Sequence, residues 1–390
     1  MSLNPVIEKL GRRIRLAVIG GAEPSFIGPM HRLAARLDDR YEIVTGVLSS
    51  KADKAREQGR ALGFAPDRTY GTFEELIEKE AGRADRIDAV DIMTPNDSHY
   101  RYAMAALESG FHVICDKPMT NTAEEAALLA RKAEETGLVF LLTHNYTGYP
   151  MVRQARAMVA AGELGDIRLV QAEYVQGGNA GPQPASLDGP RSWKFDPAKA
   201  GPSRVMGDIG THAHNLLRFV TGLEVTEVAA EIGAIVPGHT VDDYAGALLR
   251  LSNGARGSFW VTQAAAGVEN GLRLRVSGSK GSLEWHQELP QRLDYKPFGA
   301  PAEVRTPNGP GSHPLTRRSS RIVAGHPEGF PSAFGNLFSD AAEAMAARLS
   351  GTECDPLALH FPTARDGLAG MRFVQAVVDS SRANGAWVKC

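Results

Sequence analysis

From Ile14 to Ile19 the chain runs almost wholly apolar, and the run stops at Gly20 and Gly21. A short apolar run closed by glycines predicts a strand buried on both faces, as in a parallel sheet covered by helices above and below. The same unit recurs. Glu42 to Leu48, Ile87 to Met93, Phe111 to Cys115 and Leu138 to Thr143 are further runs of strand length, separated by amphipathic stretches with helical spacing. Ser50 with Asp53, Thr72 with Glu75, and Thr122 with Glu125 each set a hydroxyl three residues before a carboxylate, the capping box that starts a helix. Gly63, Gly110 and Gly137 stand where helices should stop, and Pro29 suits a first helical turn. Strand and helix in alternation predict an α/β domain over residues 1–145, a Rossmann-like, doubly wound parallel sheet.

Beyond Pro150 the rhythm changes. A helix from Met151 to Ala161, a strand from Arg168 to Val175 and a Gly/Pro-rich loop from Gly177 to Arg204 lead to a helix from Asp208 to Val220, which Gly222 follows closely. Strand-length runs then succeed one another at 225–236, 242–251, 255–264, 271–277 and 281–286, with Asn253-Gly254 marking a tight hairpin. Strands without intervening helices predict an antiparallel sheet, so residues 146–390 read as an α+β domain with a large open, mainly antiparallel sheet. Alternation at Leu248, Arg250, Phe259 and Val261 gives both faces some apolar side chains, one for the domain's own helices and one for a partner subunit. The Pro/Gly-rich stretch 297–332 predicts a lid or an intersubunit arm, and helices near 333–350 and 363–384 finish the chain.

Composition narrows the partners more than the fold. At 390 residues and 43% hydrophobic the chain can bury two full cores, and a net charge of -2 offers nothing to attract a nucleic acid or a membrane surface. No apolar run approaches the roughly 18 to 20 residues that span a bilayer. The first residues, MSLNPVIEKLGRRIR, lack an apolar signal core, which predicts a cytoplasmic protein. Cys115, Cys354 and Cys390 lack metal-ligand spacing, so neither disulfides nor a structural zinc are expected.

Candidate chemistry sits at the ends of the predicted strands. The loop Gly20-Gly21-Ala22-Glu23-Pro24-Ser25-Phe26-Ile27-Gly28 departs from G-x-G-x-x-G by inserted residues, and alone it is as well explained by an ordinary turn. Its place after the first strand of a βαβ unit favours a pyrophosphate cradle. Thr94-Pro95-Asn96 and His99 follow the strand ending at Met93, and strand C-termini line the ligand crevice of such sheets; capping by Asn96 or Asp97 is the plainer alternative. Lys117, between Asp116 and Pro118, is kept extended at another strand end by the proline, where a simple surface lysine is the competing reading. Asp208 and His212 stand one helical turn apart, on one face of the predicted helix, whereas His214 falls on another face and reads as structural. Asn145 and Tyr146 either line the crevice or make a turn. The second strand ends in Leu48-Ser49-Ser50-Lys51, without the carboxylate that an NAD-preferring site places there. Hydroxyls and a lysine accept a 2'-phosphate, so NADP is expected to bind at least comparably to NAD.

Taken together these residues resemble the Gfo/Idh/MocA family, which includes glucose-fructose oxidoreductase and inositol dehydrogenase. The similarity covers nearly the whole chain, with Asp116-Lys117-Pro118 in place of the family's Glu-Lys-Pro and with Gly207-Asp208-Ile209-Gly210-Thr211-His212. The resemblance implies an NAD- or NADP-dependent dehydrogenase that moves a hydride between nicotinamide and a secondary alcohol of a sugar, inositol or related polyol, working as a homodimer or homotetramer. It makes Lys117 the catalytic lysine, with Asp208 and His212 completing the set: His212, oriented by Asp208, as base, and Lys117 on the same oxygen. The family often has a further Asp three residues after the histidine. Asn215 stands there, which argues against copying an inositol specificity. Trp193, beside Arg191 and Lys194, would stack on a sugar face or equally lie in a core. Two other functions compete, an NAD-dependent glycosidase using transient hydride transfer and a non-catalytic dinucleotide sensor. Retention of Lys117, Asp208 and His212 counts against the sensor.

Overall fold

The βα rhythm of the first third folds as five parallel strands: β1 (Ile14–Gly20), β2 (Tyr41–Val47), β3 (Ala89–Met93), β4 (His112–Cys115) and β5 (Phe140–Leu142). They lie in the order β2-β1-β3-β4-β5 in a computed structural model that describes residues 4–183, 192–196 and 199–390. The chain runs outward in opposite directions from β1, so the C-terminal ends of β1 and β3, where Gly20 pairs with Met93, border the crevice of this sheet. Among the described residues, no helix is long and apolar enough to cross a membrane.

By internal contacts the chain forms two units. The first comprises Met1–Thr120, Glu124–Thr143 and Phe334–Leu368, and the second Asn121–Ala123, His144–Ala333 and Ala369–Cys390. The division read from sequence at 145/146 thus falls after Thr143, and most of the helix Phe330–Ser350 returns to the first unit. There Phe334 and Phe338 close over the His31 ring at 5.3 and 5.6 Å, and the Phe338 carbonyl accepts a hydrogen bond from Tyr41. A contact across three hundred residues leaves no trace in local periodicity.

The helix starts are mixed. Thr72 caps the helix Phe73–Ala81 as expected, its hydroxyl accepting from Glu75 N at 3.2 Å. Ser50 does not cap: the helix Ala52–Ala61 begins after Lys51 with no side-chain cap, and the Ser49 hydroxyl accepts from Lys51 N instead. That leaves the three residues closing β2 as a turn of their own.

The second unit is built on β6 (Ile167–Val175), β7 (Val225–Gly233), β8 (Tyr244–Leu251), β9 (Arg256–Thr262), β10 (Gly271–Gly278), β11 (Gly281–His286), β12 (Leu293–Pro297), β13 (Glu303–Arg305) and β14 (Val388–Lys389). Their order is β13-β12-β11-β10-β6-β9-β8-β7-β14, and only β6 with β9 pairs in parallel. Gly254, at φ +86°, turns the β8–β9 hairpin that Asn253-Gly254 predicts. Register assigns the faces. Phe259, Val261, Val170, Leu274 and Trp285 point to the side covered by the helices Pro150–Ala160 and Thr211–Thr221, all buried. Leu248, Trp260 and Leu169 lie on the open side, 59, 39 and 56% exposed, among Glu173, Arg273 and Arg275.

The stretch 297–332, expected as a lid or arm, contains the edge strand β13 and a short helix Pro314–Arg318. Gln154 fastens it to the unit, its amide oxygen accepting from His313 N at 3.0 Å and the Thr316 hydroxyl at 2.8 Å. Proline and glycine there mark turns rather than a free segment.

His112 at the start of β4 carries a pH dependence. It is buried, its Nδ1 accepts from Val139 N at 2.9 Å, and burial pushes its pKa from 6.5 down to about 4. The unfolded chain protonates this ring near 6.5 while the folded chain does not. Between those values the unfolded state binds the extra proton, so stability is full above pH 6.5 and declines as pH falls toward 4. His112→Asn keeps an acceptor for Val139 and should reduce the slope of unfolding free energy against pH in that window, measured in urea. Identical slopes in both proteins would show that His112 does not contribute.

Candidate functional site

Gly20 and Gly21 have φ of +77° and +70°, in the left-handed region that favours glycine. A Cβ on Gly28 would stand 1.9 Å from the Gly21 carbonyl oxygen, and one on Gly20 would stand 2.8 Å from Thr94 Cγ2. The end of β1, the start of the helix Ile27–Leu37 and the end of β3 therefore meet as only glycine permits. Such a cradle leaves room for a pyrophosphate against backbone N–H groups. The Ser25 hydroxyl accepts from Gly28 N at 3.2 Å, while Arg32, one turn into the helix, donates to the Gly21 carbonyl at 2.9 Å. Arg32 carries no motif and escapes sequence reading. Phe26 is exposed beside half-buried Ile27 at the loop's end. At the end of β2, Ser49 is half-buried, Ser50 and Lys51 are exposed, and the first acid after it, Asp53, lies inside the next helix.

After β3, Thr94 receives a hydrogen bond from Ser98 at 2.7 Å, and Pro95 and Asn96 shape the turn. The helix His99–Glu108 starts after Ser98 with no side-chain cap, so neither Asn96 nor Asp97 has the capping role. His99 is fully buried, with Nδ1 2.8 Å from the Pro118 carbonyl and Nε2 2.8 Å from the Thr94 carbonyl. Its ring nitrogens face protein carbonyls, so His99 braces the Thr94 turn against the Lys117-Pro118 turn. One Asp116 oxygen accepts from the backbone N of Lys117 at 2.8 Å and from the Thr143 hydroxyl at 3.0 Å. The Asp116 carboxylate thus fixes the main chain at half-buried Lys117.

In the second unit the chain makes a tight turn at Asn145–Gly148. Asn145 is buried and its Nδ2 has no hydrogen-bond partner, which leaves it an available donor. Tyr146 OH lies 2.5 Å from Tyr174 OH, which donates to Asn270 Oδ1 at 2.7 Å. Burial, reinforced by Tyr146, pushes the Tyr174 phenol well above its usual range, so it stays a neutral donor. Gln176 donates to the same Asn270 oxygen at 2.7 Å, and Gln263 donates both to Gln176 at 2.9 Å and to Asp208 Oδ2 at 3.0 Å. Lys194 closes this chain of hydroxyls and amides by holding both Asp208 oxygens at 2.9 and 3.0 Å.

The expected helix from Asp208 is in two parts. Met206–Gly210 forms a π-helical turn and Thr211–Thr221 continues as an α-helix. Asp208 faces Lys194 and Gln263, while the buried His212 ring packs against Tyr146 at 4.8 Å, Tyr174 at 6.2 Å and His144 at 5.2 Å. His214 stacks on Phe373 at 4.3 Å, and burial holds its pKa well below the usual value, in keeping with a structural role. Asn215 is buried, with an Oδ1 that has no partner. Trp193 is half-buried, its ring 5.8 Å from Lys194 Nζ, and so is no core residue. Arg191 lies outside the described residues.

Gln176 and Gln263 also escape sequence reading. Each stands one residue past a strand end, and the parallel pairing that sets Val175 opposite Thr262 brings them together. No local pattern announces that register.

A family profile described as an oxidoreductase family with an NAD-binding Rossmann fold matches residues 14–146, and one described as a GFO/IDH/MocA C-terminal domain matches residues 152–284. An uncharacterised oxidoreductase of Bacillus subtilis is 32% identical, over 97% of this chain and 98% of that protein. Among solved structures, an oxidoreductase from Sinorhizobium meliloti is 47% identical with a TM-score of 0.86, covering 97% of this chain and 100% of that one. An inositol dehydrogenase homologue from Azotobacter vinelandii, complexed with NADH and myo-inositol, is 35% identical with a TM-score of 0.89, covering 98 and 99%.

Proposed function

Because this chain belongs to the Gfo/Idh/MocA family of oxidoreductases, we propose that it is an NAD(P)-dependent dehydrogenase acting on a secondary alcohol of a sugar, inositol or related polyol. The observation that carries the reading is the run of neutral donors and acceptors from Tyr146 through Tyr174, Asn270, Gln176 and Gln263 to Asp208, with His212 beside it. Such a run matches the many hydroxyls of a polyol, and the Azotobacter relative carries one with its cofactor.

The glycine cradle fits a dinucleotide, which when bound would supply a nicotinamide to accept or return the hydride. As the alcohol carbon gives up its hydride, the hydroxyl must lose a proton. His212 is the proposed base for it, and Lys117, assigned from the family motif, is the proposed donor to the oxygen as negative charge develops there. Asp208, whose charge Lys194 balances, is the proposed acceptor for substrate hydroxyls.

The test is a panel of sugars, inositols and glycosides followed by cofactor absorbance. Reduced cofactor accumulating with one of the polyols supports the reading. A glycoside cleaved with no net reduced cofactor would instead make the protein a glycosidase, and binding without any turnover would make it a sensor.

The ribose pocket supports a cofactor preference. With Ser49, Ser50 and Lys51 at the end of β2, NADP is expected to bind at least comparably to NAD, and Lys51→Asp to weaken NADP selectively by like-charge repulsion. Titrating both cofactors checks this, and NAD binding more than about tenfold tighter in the wild type, some 1.4 kcal/mol, would reverse it.

The open face of the large sheet, with Leu169, Leu248 and Trp260 exposed, is proposed as the surface of a homodimer or homotetramer. Sedimentation at micromolar concentration should show a species larger than a monomer; a monomer would contradict it.

A further inference from the structure

His144 leads into the Asn145–Gly148 turn, and its carbonyl pins it there by accepting from Thr147 N at 3.2 Å and the Thr147 hydroxyl at 2.9 Å. Its buried ring meets that of His212 at 76°, with the two Nδ1 atoms 3.4 Å apart. Two imidazole nitrogens that face each other form a hydrogen bond only when one bears the proton and the other keeps its lone pair. The tautomers of the two rings are therefore coupled. If His144 bears the proton at Nδ1, neutral His212 carries its own on Nε2 and has no lone pair there to act as a base. If His212 bears it, Nε2 keeps its lone pair. The imidazolium formed when Nε2 takes up a proton then still donates to His144, through a charge-assisted bond that shortens a contact now at the long end of the range.

We propose that His144 is a positioning residue for His212, its Nδ1 accepting the Nδ1–H of His212 and so keeping the lone pair of His212 on Nε2. This rests on the reading of His212 as the proton acceptor in alcohol oxidation. Groups described near the two rings fit the assignment. Tyr146 and Tyr174 meet His212 edge-on while their hydroxyls are engaged with each other and with Asn270. Asp208, four residues before His212, is balanced by Lys194 and takes a further bond from Gln263. His214, two residues on, is held neutral chiefly by burial. In the Ser-His-Asp arrangement a carboxylate orients the imidazole and also stabilises its charge. A neutral imidazole in that place sets the tautomer with a smaller effect on basicity.

The test reads the tautomer directly. In protein labelled with 15N in the imidazole rings, the His212 resonances are identified by their loss in His212→Asn. The wild type should show a protonated Nδ1 and an unprotonated Nε2. In His144→Phe the pattern should change to a protonated Nε2, and turnover of a polyol should fall by roughly 10- to 100-fold with KM unchanged, the scale for removing a group that orients another. His144→Asn, whose amide oxygen takes the place of Nδ1, should restore the tautomer and most of the rate. A wild-type His212 protonated at Nε2 overturns the proposal, active or not, as does a His144→Phe protein with the wild-type tautomer. The expected tautomer in a protein that oxidises no polyol would uphold the His144 assignment and sink the dehydrogenase reading.

Discussion

Lys117→Met should fold, bind NAD(P) and lose turnover on the order of 100-fold or more, the scale for removing a donor aimed at developing negative charge. The substitution keeps a stem of similar length while removing the charge and all three donors. Folding should survive because the local main chain is held by other atoms: Asp116 binds the backbone N of residue 117, and His99 reaches the Pro118 carbonyl. Cofactor titration with the purified variant separates binding from chemistry. Turnover at the wild-type level would move the electrophilic role away from Lys117.

His212→Asn should cost about 10²- to 10⁴-fold in the oxidation direction, the range for a general base, and should flatten the alkaline rise of the rate. A base accepts a proton only in its unprotonated form, so oxidation by the wild type should increase with pH through the macroscopic ionisation that His212 shares with its neighbours. The amide of asparagine keeps a polar group toward His144 in a buried site, which limits the structural cost. Rate profiles across pH check it, and a variant with the unchanged alkaline limb would exclude His212 as the base.

Much of this molecule is visible in local spacing. Apolar runs of strand length between helical stretches specify the parallel sheet. The glycines of the first loop announce a close approach, and Asn253-Gly254 announces the β8–β9 hairpin, because each is a constraint within a few residues of chain. The residue types of the proposed site are likewise readable: Lys117 before a proline, Asp208 and His212 in one motif, and a β2 end without a carboxylate. What each side chain touches is not. The spacing of Asp208 and His212 sets both in one motif, but that Lys194 and Gln263 hold Asp208, and that His212 meets His144, depends on contacts between distant segments. His99 read as a ligand contact and serves as a brace between two turns. The return of Phe334–Leu368 to the first unit and the parallel register of β6 with β9, which makes Gln176 and Gln263 neighbours, join segments about ninety to three hundred residues apart. Elements, fold class and chemical inventory are legible along the chain, since backbone propensity and burial period are local properties. The partners of each polar side chain come from the packed fold, because they depend on strand register and helix packing that no short window of sequence encodes.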